Sequence, residues 1–269
     1  MNRILFEKSE IRDGLCTFSG PRAEHVLGVL HGEVGQTLKT GELDGPVGTS
    51  EIVSIAGGEI TVRCSHSDAA PAPWIDLVLA PPRPRVMKRL LPQLAALGVG
   101  HIVLVGAEKV EKAFWGAQLL REEVHRPLLV DGLMQSGTST VPKIQVEKNF
   151  RRYAANRLDE DFAASAAKFV AHPYSQLTHT PTHPLTHSPI RLRQGYGGQA
   201  HPLTHSPRIT LAIGPEGGWT DEEVEILESH GFERYSLGPR ILRTDTAAVA
   251  LIAQLMPQFD SAKSATGED

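Results

Sequence analysis

Three short segments place glycine, proline and a few polar side chains directly after apolar runs. They are AHP at 171–173, IGPEGG at 213–218 and LGPRILRTDTA at 237–247. Glycine at such points lets backbone come close to a ligand or to the next helix. A phosphate cradle needs Lys and Ser or Thr after its glycines, and a dinucleotide fingerprint needs G-x-G-x-x-G. IGPEGG has neither: Trp219 follows, no lysine adjoins it, and Glu216 would repel a phosphate. The loop therefore suits a neutral or cationic ligand, with a tight strand-to-helix turn as the alternative. LGPRILRTDTA adds Arg240 and Arg243 beside Thr244 and Asp245. An arginine there can hold a polar or anionic substrate edge, or it can simply pair with Asp245.

These segments need strands to end on and helices to begin. IDLVLA (75–80), HIVLV (101–105), KFVA (168–171), ITLAI (209–213) and RYSL (234–237) are short continuous apolar runs, as expected of strands covered on both faces. Between them lie helical patterns. VMKRLLPQLAALG carries apolar residues at 87, 90, 91, 94 and 97, with Pro92 expected to kink or restart it. TDEEVEILESHG opens with Thr220 as N-cap and Glu223 as capping-box partner, and Gly231 sits at the C′ position. TDTAAVALIAQLM (244–256) reads as a buried helix with Thr244 or Asp245 at its start. Strands alternating with helices give an α/β domain with a mostly parallel sheet. Open sheets of that kind bind ligands beyond the C-terminal ends of their strands, where all three loops fall. Before residue 70, turn pairs Asp44-Gly45 and Gly57-Gly58 separate β-rich pieces, which suggests a small β-barrel-like domain. DAAPAPW (68–74) reads as the linker. The expected division is 1–70, then 71–257, then a frayed tail over 258–269.

The 269 residues carry 41% hydrophobic side chains and a formal net charge of −4, enough for a core and no advertisement of nucleic-acid binding. Local patches count for more than totals. RPRVMKR (83–89) and KNFRRYAANR (148–157) are the two basic ones, each otherwise a solvated face. No apolar run approaches the ~20 residues of a membrane span, and the start of the chain lacks a secretory pattern. Two isolated cysteines, Cys16 and Cys64, fit a reduced cytoplasmic protein and no cysteine-based metal site. HPLTHSP occurs at 183–189 and 201–207, with a partial copy at 177–181. This low-complexity insertion (178–207) has no periodicity that could build a core and fixes no metal geometry, so no metal is expected.

IGPEGGWTDEEVE and LGPRILRTDTAAVALIA resemble the signature segments of the bacterial small-subunit ribosomal RNA uracil-N3 methyltransferases, members of the SPOUT superfamily. SGPRAEHVLGVL resembles that family's N-terminal PUA-like RNA-binding barrel, and LAALGVGHIVLV and VEKAFW its strand–helix region. The resemblance implies a trefoil-knotted α/β catalytic domain, a homodimer, and S-adenosylmethionine as cofactor. The knot loops would hold it through His172, Pro173, Ile213, Gly214, Glu216, Gly217, Gly218, Leu237, Gly238, Leu242 and Thr244. It also implies methyl transfer to N3 of a uracil in small-subunit ribosomal RNA or the assembled subunit. Arg243 would stabilise charge on the uracil oxygens and Glu216 would act as base or cofactor contact. Arg83, Arg85, Lys88 and Arg240 would meet the RNA.

His31, Gln93, Ala96 and Thr138 depart from polar residues common at RNA-facing positions of that family. A SPOUT enzyme acting on tRNA or a ribose 2′-hydroxyl is therefore a rival, and a non-catalytic RNA-binding assembly protein is another.

Overall fold

The computed structural model describes residues 2–172 and 208–266, with side chains described to residue 256. Pro173 and the HPLTHSP repeats lie outside the described residues, as do residues 267–269. Two compact units emerge: residues 1–72 with 126–141, and residues 73–125 with 142–269.

The first unit contains β1 (Ile4–Phe6), β2 (Ile11–Arg12), β3 (Leu15–Phe18), α1 (Pro21–Gly28), β4 (Thr37–Glu42), β5 (Val47–Ala56) and β6 (Glu59–Asp68). Its six-stranded sheet runs β1-β4-β5-β6-β3-β2. Gly57 and Gly58 close the β5–β6 hairpin at φ +59° and +83°, the left-handed pair that a two-residue turn requires. Phe6, Phe18, Val26, Ile52, Ile60 and Val62 form the core. Residues 126–141 join this unit through polar clasps that no periodicity advertises. The N–H groups of Asn2 and Arg3 both donate to the Met134 carbonyl at 3.0 Å. The Arg3 guanidinium donates to Gly137 O at 2.9 Å, and Ser139 Oγ to Gly45 O at 2.7 Å.

The second unit contains β7 (Ile75–Leu79), α2 (Pro84–Ala96), β8 (Val99–Val105), β9 (Lys143–Glu147), α4 (Phe150–Asn156), α5 (Leu158–Asp161), β10 (Ser165–Ala171), β11 (Arg208–Ile213), α6 (Asp221–Ser229), β12 (Glu233–Tyr235) and α7 (Thr244–Thr266). The division between the units falls within α3 (Glu122–Ser136). The sheet order is β12-β10-β11-β7-β8-β9, and every pairing is parallel. Leu77, Val78, Val103, Leu104, Leu211 and Ala212 are buried, as continuous apolar runs demand. The fold is thus α/β with a parallel sheet.

Two local expectations change. Pro92 does not restart α2, which continues across it, with Leu90, Leu91 and Leu94 buried around the proline. The KIQVE segment forms edge strand β9, whose half-buried pattern lacks the continuous apolar signature of its neighbours. At α6 the capping box forms as expected, with Thr220 Oγ1 accepting from Glu223 N–H at 3.3 Å and the Glu223 carboxylate accepting from Thr220 N–H at 2.9 Å.

Candidate functional site

Parallel pairing sends the loops after β8, β10, β11 and β12 out of one edge of the sheet. There the second unit encloses a cavity of about 510 Å³. Small-molecule sites typically span roughly 300–1,000 Å³. His172 lines it from the first loop; Ile213, Gly214, Glu216, Gly217 and Gly218 from the second; Leu237, Gly238, Arg240, Leu242 and Thr244 from the third. Three segments dispersed through the chain therefore meet at one surface.

The second loop is held mainly by its own fold. Gly218 N–H donates to Pro215 O at 2.8 Å, closing a turn with Gly218 at φ +68°. A Cβ built on Gly214 would sit 2.9 Å from Trp219 N and 3.2 Å from Gly218 C. What approaches Gly214 so closely is the returning loop itself. Thr244 Oγ1 donates to Gly214 O at 3.3 Å, joining the third loop to the second. Ser236 Oγ both donates to Gly238 O and accepts from Gly238 N–H, each at 3.1 Å. Much of the loop backbone expected to serve a ligand is thus already bonded within the protein.

Several wall residues lay outside the sequence expectation. Lys109, from the loop after β8, donates its ammonium to Gly217 O at 3.0 Å and reaches Trp219 O at 3.5 Å. No lysine adjoins IGPEGG along the chain, yet one adjoins it in space. Trp219 is 5% exposed and packs against Phe150 with ring centroids 5.3 Å apart. Its Nε1–H is buried and meets no acceptor among the described residues. A buried donor left unpaired is costly, and this one is closed off from the open cavity as well as from solvent. Arg234 and Tyr235 complete the same side. Arg234 hydrogen-bonds Glu228 at 2.7 and 3.1 Å and thereby holds that carboxyl below the usual range. The signal that could have found Lys109 is its place at the C-terminal end of a parallel strand, where the other three loops also sit.

The remaining expected residues sit at the rim or beyond. Glu216 accepts from Arg83 N–H at 3.2 Å, at the first turn of α2, where a carboxylate complements the helix dipole. Arg83 also pairs through its side chain with Glu111 at 2.8 Å. Arg83, just before α2, and Arg85 and Lys88 on it are exposed and do not line the cavity. Arg243 is not on the wall either. Its guanidinium lies 3.7 Å from Asp245, which Arg89 also approaches at 3.9 Å. In the other basic segment Arg151 pairs with Glu222, and Arg157 pairs with Asp161 at 3.0 Å. Each basic segment is thus partly compensated, two of its four cations lying beside a carboxylate. Among the described residues no three His, Cys, Asp or Glu side chains group to hold a metal ion, and no helix is long and apolar enough to cross a membrane.

A family model described as an RNA methyltransferase domain matches residues 70–256. The ribosomal RNA small subunit methyltransferase E of Treponema pallidum is 29% identical over 262 residues, covering 95% of this chain and 91% of the relative. Among solved structures, the ribosomal RNA small subunit methyltransferase E from Neisseria gonorrhoeae bound to S-adenosyl methionine superposes with a TM-score of 0.66 at 23% identity, over 96% of this chain and 97% of that one. A Legionella pneumophila protein described as a methyltransferase in complex with the cofactor SAM gives 0.67 at 24% identity, over 95% and 97%. Both likenesses concern the fold.

Proposed function

The chain belongs to the RNA methyltransferase domain family, and from that premise we propose that it methylates N3 of a uracil in small-subunit ribosomal RNA with S-adenosylmethionine. One observation carries the reading: loops separated by tens of residues close a single cavity at the C-terminal edge of a parallel sheet. Their residues are those expected to hold the cofactor. The second loop, with its Glu216 carboxylate, is averse to phosphate and suits a ligand with a cationic centre. When bound, S-adenosylmethionine supplies an electrophilic methyl group on its sulfonium.

The chain's own work is to orient the base and move one proton. Uracil N3 carries a proton and is a poor nucleophile until it leaves. Glu216 Oε1 accepts from Arg83 N–H at 3.2 Å, which leaves Oε2 to take the N3 proton. Arg243, with Arg240 on the cavity wall, stabilises the charge that develops on the uracil oxygens. Orientation by the pocket can lower the barrier by about 7–11 kcal/mol in favourable cases. The target base leaves its stack to reach the site. Arg83, Arg85 and Lys88 hold the RNA backbone around it. In the same reading the first unit is a PUA-like RNA-binding module and the second carries a trefoil knot. The protein acts as a cytoplasmic homodimer.

Nucleoside mass spectrometry of ribosomal RNA from a strain lacking the gene tests the target: N3-methyluridine should disappear from the small subunit. An unchanged level sinks this target. A different RNA nucleotide is the second reading, favoured by His31, Gln93, Ala96 and Thr138 at family positions that usually face RNA. A loss of methylation in tRNA would select it.

A further inference from the structure

We propose that Lys109 is a positioning residue of the cofactor cavity, acting by holding the IGPEGG loop in place; this rests on the S-adenosylmethionine reading above. Two independent sets of contacts support it. First, the ammonium donates to Gly217 O at 3.0 Å and approaches Trp219 O at 3.5 Å, so one cation gathers two carbonyls of the same loop. Hydrogen bonds from an ionised donor are roughly twice as strong as neutral ones. The lysine stem lies against the loop as well: a Cβ built on Gly217 would meet Lys109 Cδ at 3.0 Å and Cβ at 3.3 Å. The glycine at 217 makes room for this side chain.

Second, the residue before it is tied down by a different route. Glu108 N–H donates at 2.8 Å to Glu223, whose carboxylate is buried and also accepts from Thr220 N–H at 2.9 Å. Glu223 therefore does two jobs, closing the capping box of α6 and anchoring the loop after β8. Residues 108 and 109 thus grip the IGPEGG–α6 junction at both of its ends. With the carbonyls of Gly217 and Trp219 turned to Lys109, and the Gly218 N–H turned to Pro215 O, the peptide planes on the cavity wall have one orientation. A ligand then meets a wall whose ordering cost has already been met by the fold.

The role is separable from simple charge. S-adenosylmethionine is cationic at sulfur, and S-adenosylhomocysteine is neutral there. A lysine acting only through its field would oppose the first and leave the second nearly untouched. A lysine that positions the loop affects both alike. Lys109 is exposed, so substitution leaves the core intact.

The experiment is calorimetry of the full chain with each ligand, for wild type, Lys109→Met and Lys109→Arg, alongside hydrogen exchange of residues 214–219 in the free protein. The assignment expects Lys109→Met to weaken both ligands by about tenfold or more and by the same factor. It also expects faster exchange in that loop, and recovery of most of the affinity in Lys109→Arg. Unchanged affinities in Lys109→Met overturn it, and so does a change confined to S-adenosylmethionine. If the wild-type chain binds neither ligand, the cofactor reading fails and the assignment falls with it.

Discussion

The hydroxyl of Thr244 donates to the carbonyl of Gly214 across 3.3 Å, and Thr244 is only 4% exposed. This contact fastens the start of α7 to the end of β11, two segments that the sequence separates. Thr244 or Asp245 was expected at the helix start as its cap; the Thr244 hydroxyl is spent on another loop. Thr244→Val is close to isosteric but removes the donor. It should cost about 1–3 kcal/mol of stability, the usual price of a buried acceptor left unpaired, and should lower cofactor affinity. Thr244→Ser should keep most of both. Urea denaturation and calorimetry on the three proteins would check this, and a Val variant as stable as wild type would contradict it.

The glycines of the second loop are not equivalent. A methyl on Gly214 meets backbone at 2.9 Å, one on Gly217 meets a flexible lysine stem at 3.0 Å, and one on Gly218 meets nothing within 4 Å but must adopt φ +68°. Overpacking against backbone costs about 1–3 kcal/mol, and left-handed strain about 1–2 kcal/mol. Alanine at 214 should therefore damage cofactor binding most, and alanine at 217 least. An affinity series with Gly217→Ala at the bottom would show that ligand approach, and not loop closure, governs these positions.

Arg243→Ala should leave S-adenosylmethionine affinity within about threefold, because its guanidinium lies 3.7 Å from Asp245 and off the cavity wall. Turnover on RNA should fall by at least tenfold, equivalent to about 1.4 kcal/mol of barrier, if this arginine meets the developing negative charge. Single-turnover methylation would measure it. Full activity would remove Arg243 from the chemistry and leave Arg240 as the candidate.

Stability should fall on mild acidification. Burial lowers the pKa of His66 in the first unit, and Arg3 lowers it further, against an opposing pull from Glu42. Burial likewise lowers that of His101 in the second unit, with Lys143 adding to it and Asp76 and Asp161 opposing. For each, the unfolded chain binds a proton more readily than the folded one. The stability is complete above the unfolded value near 6.5 and is lost as pH falls from there through the folded value. Thermal midpoints recorded between pH 8 and 5 should decline below about 6.5. Replacing both histidines with glutamine should flatten that limb. A wild-type midpoint constant over this range would contradict the sign.

The parts of the site that could be read in the sequence share one property: each announces itself locally. IGPEGG after ITLAI and LGPRILRT after RYSL mark strand ends by an apolar run that stops at glycine. The T-D-E-E start of α6 likewise carries its cap within four residues. The parts that could not be read depend on distant partners. Lys109 lies 108 positions from the carbonyl it holds, and apart from its place after the HIVLV strand nothing in VGAEKVEKAFW distinguishes it from a solvated lysine. β9 was missed because an edge strand needs no continuous apolar run. The assignment of residues 126–141 to the first unit rests on backbone carbonyls accepting from Asn2 and Arg3, and carbonyls have no signature in composition. Pro92 offered a restart by its local rule, and the helix instead continues through it among buried leucines.

The placement of Trp219 also makes the cavity readable by light. Its indole forms part of the wall, is 5% exposed, and lies beside Phe150. The other two tryptophans stand elsewhere: Trp74 donates to Leu97 O at 2.7 Å, and Trp115 packs edge-on to Phe114. Replacing Trp74 and Trp115 with phenylalanine leaves one emitting indole, in the wall of the cavity. The protein so altered carries its own optical gauge of occupancy, needing neither dye nor radiolabel.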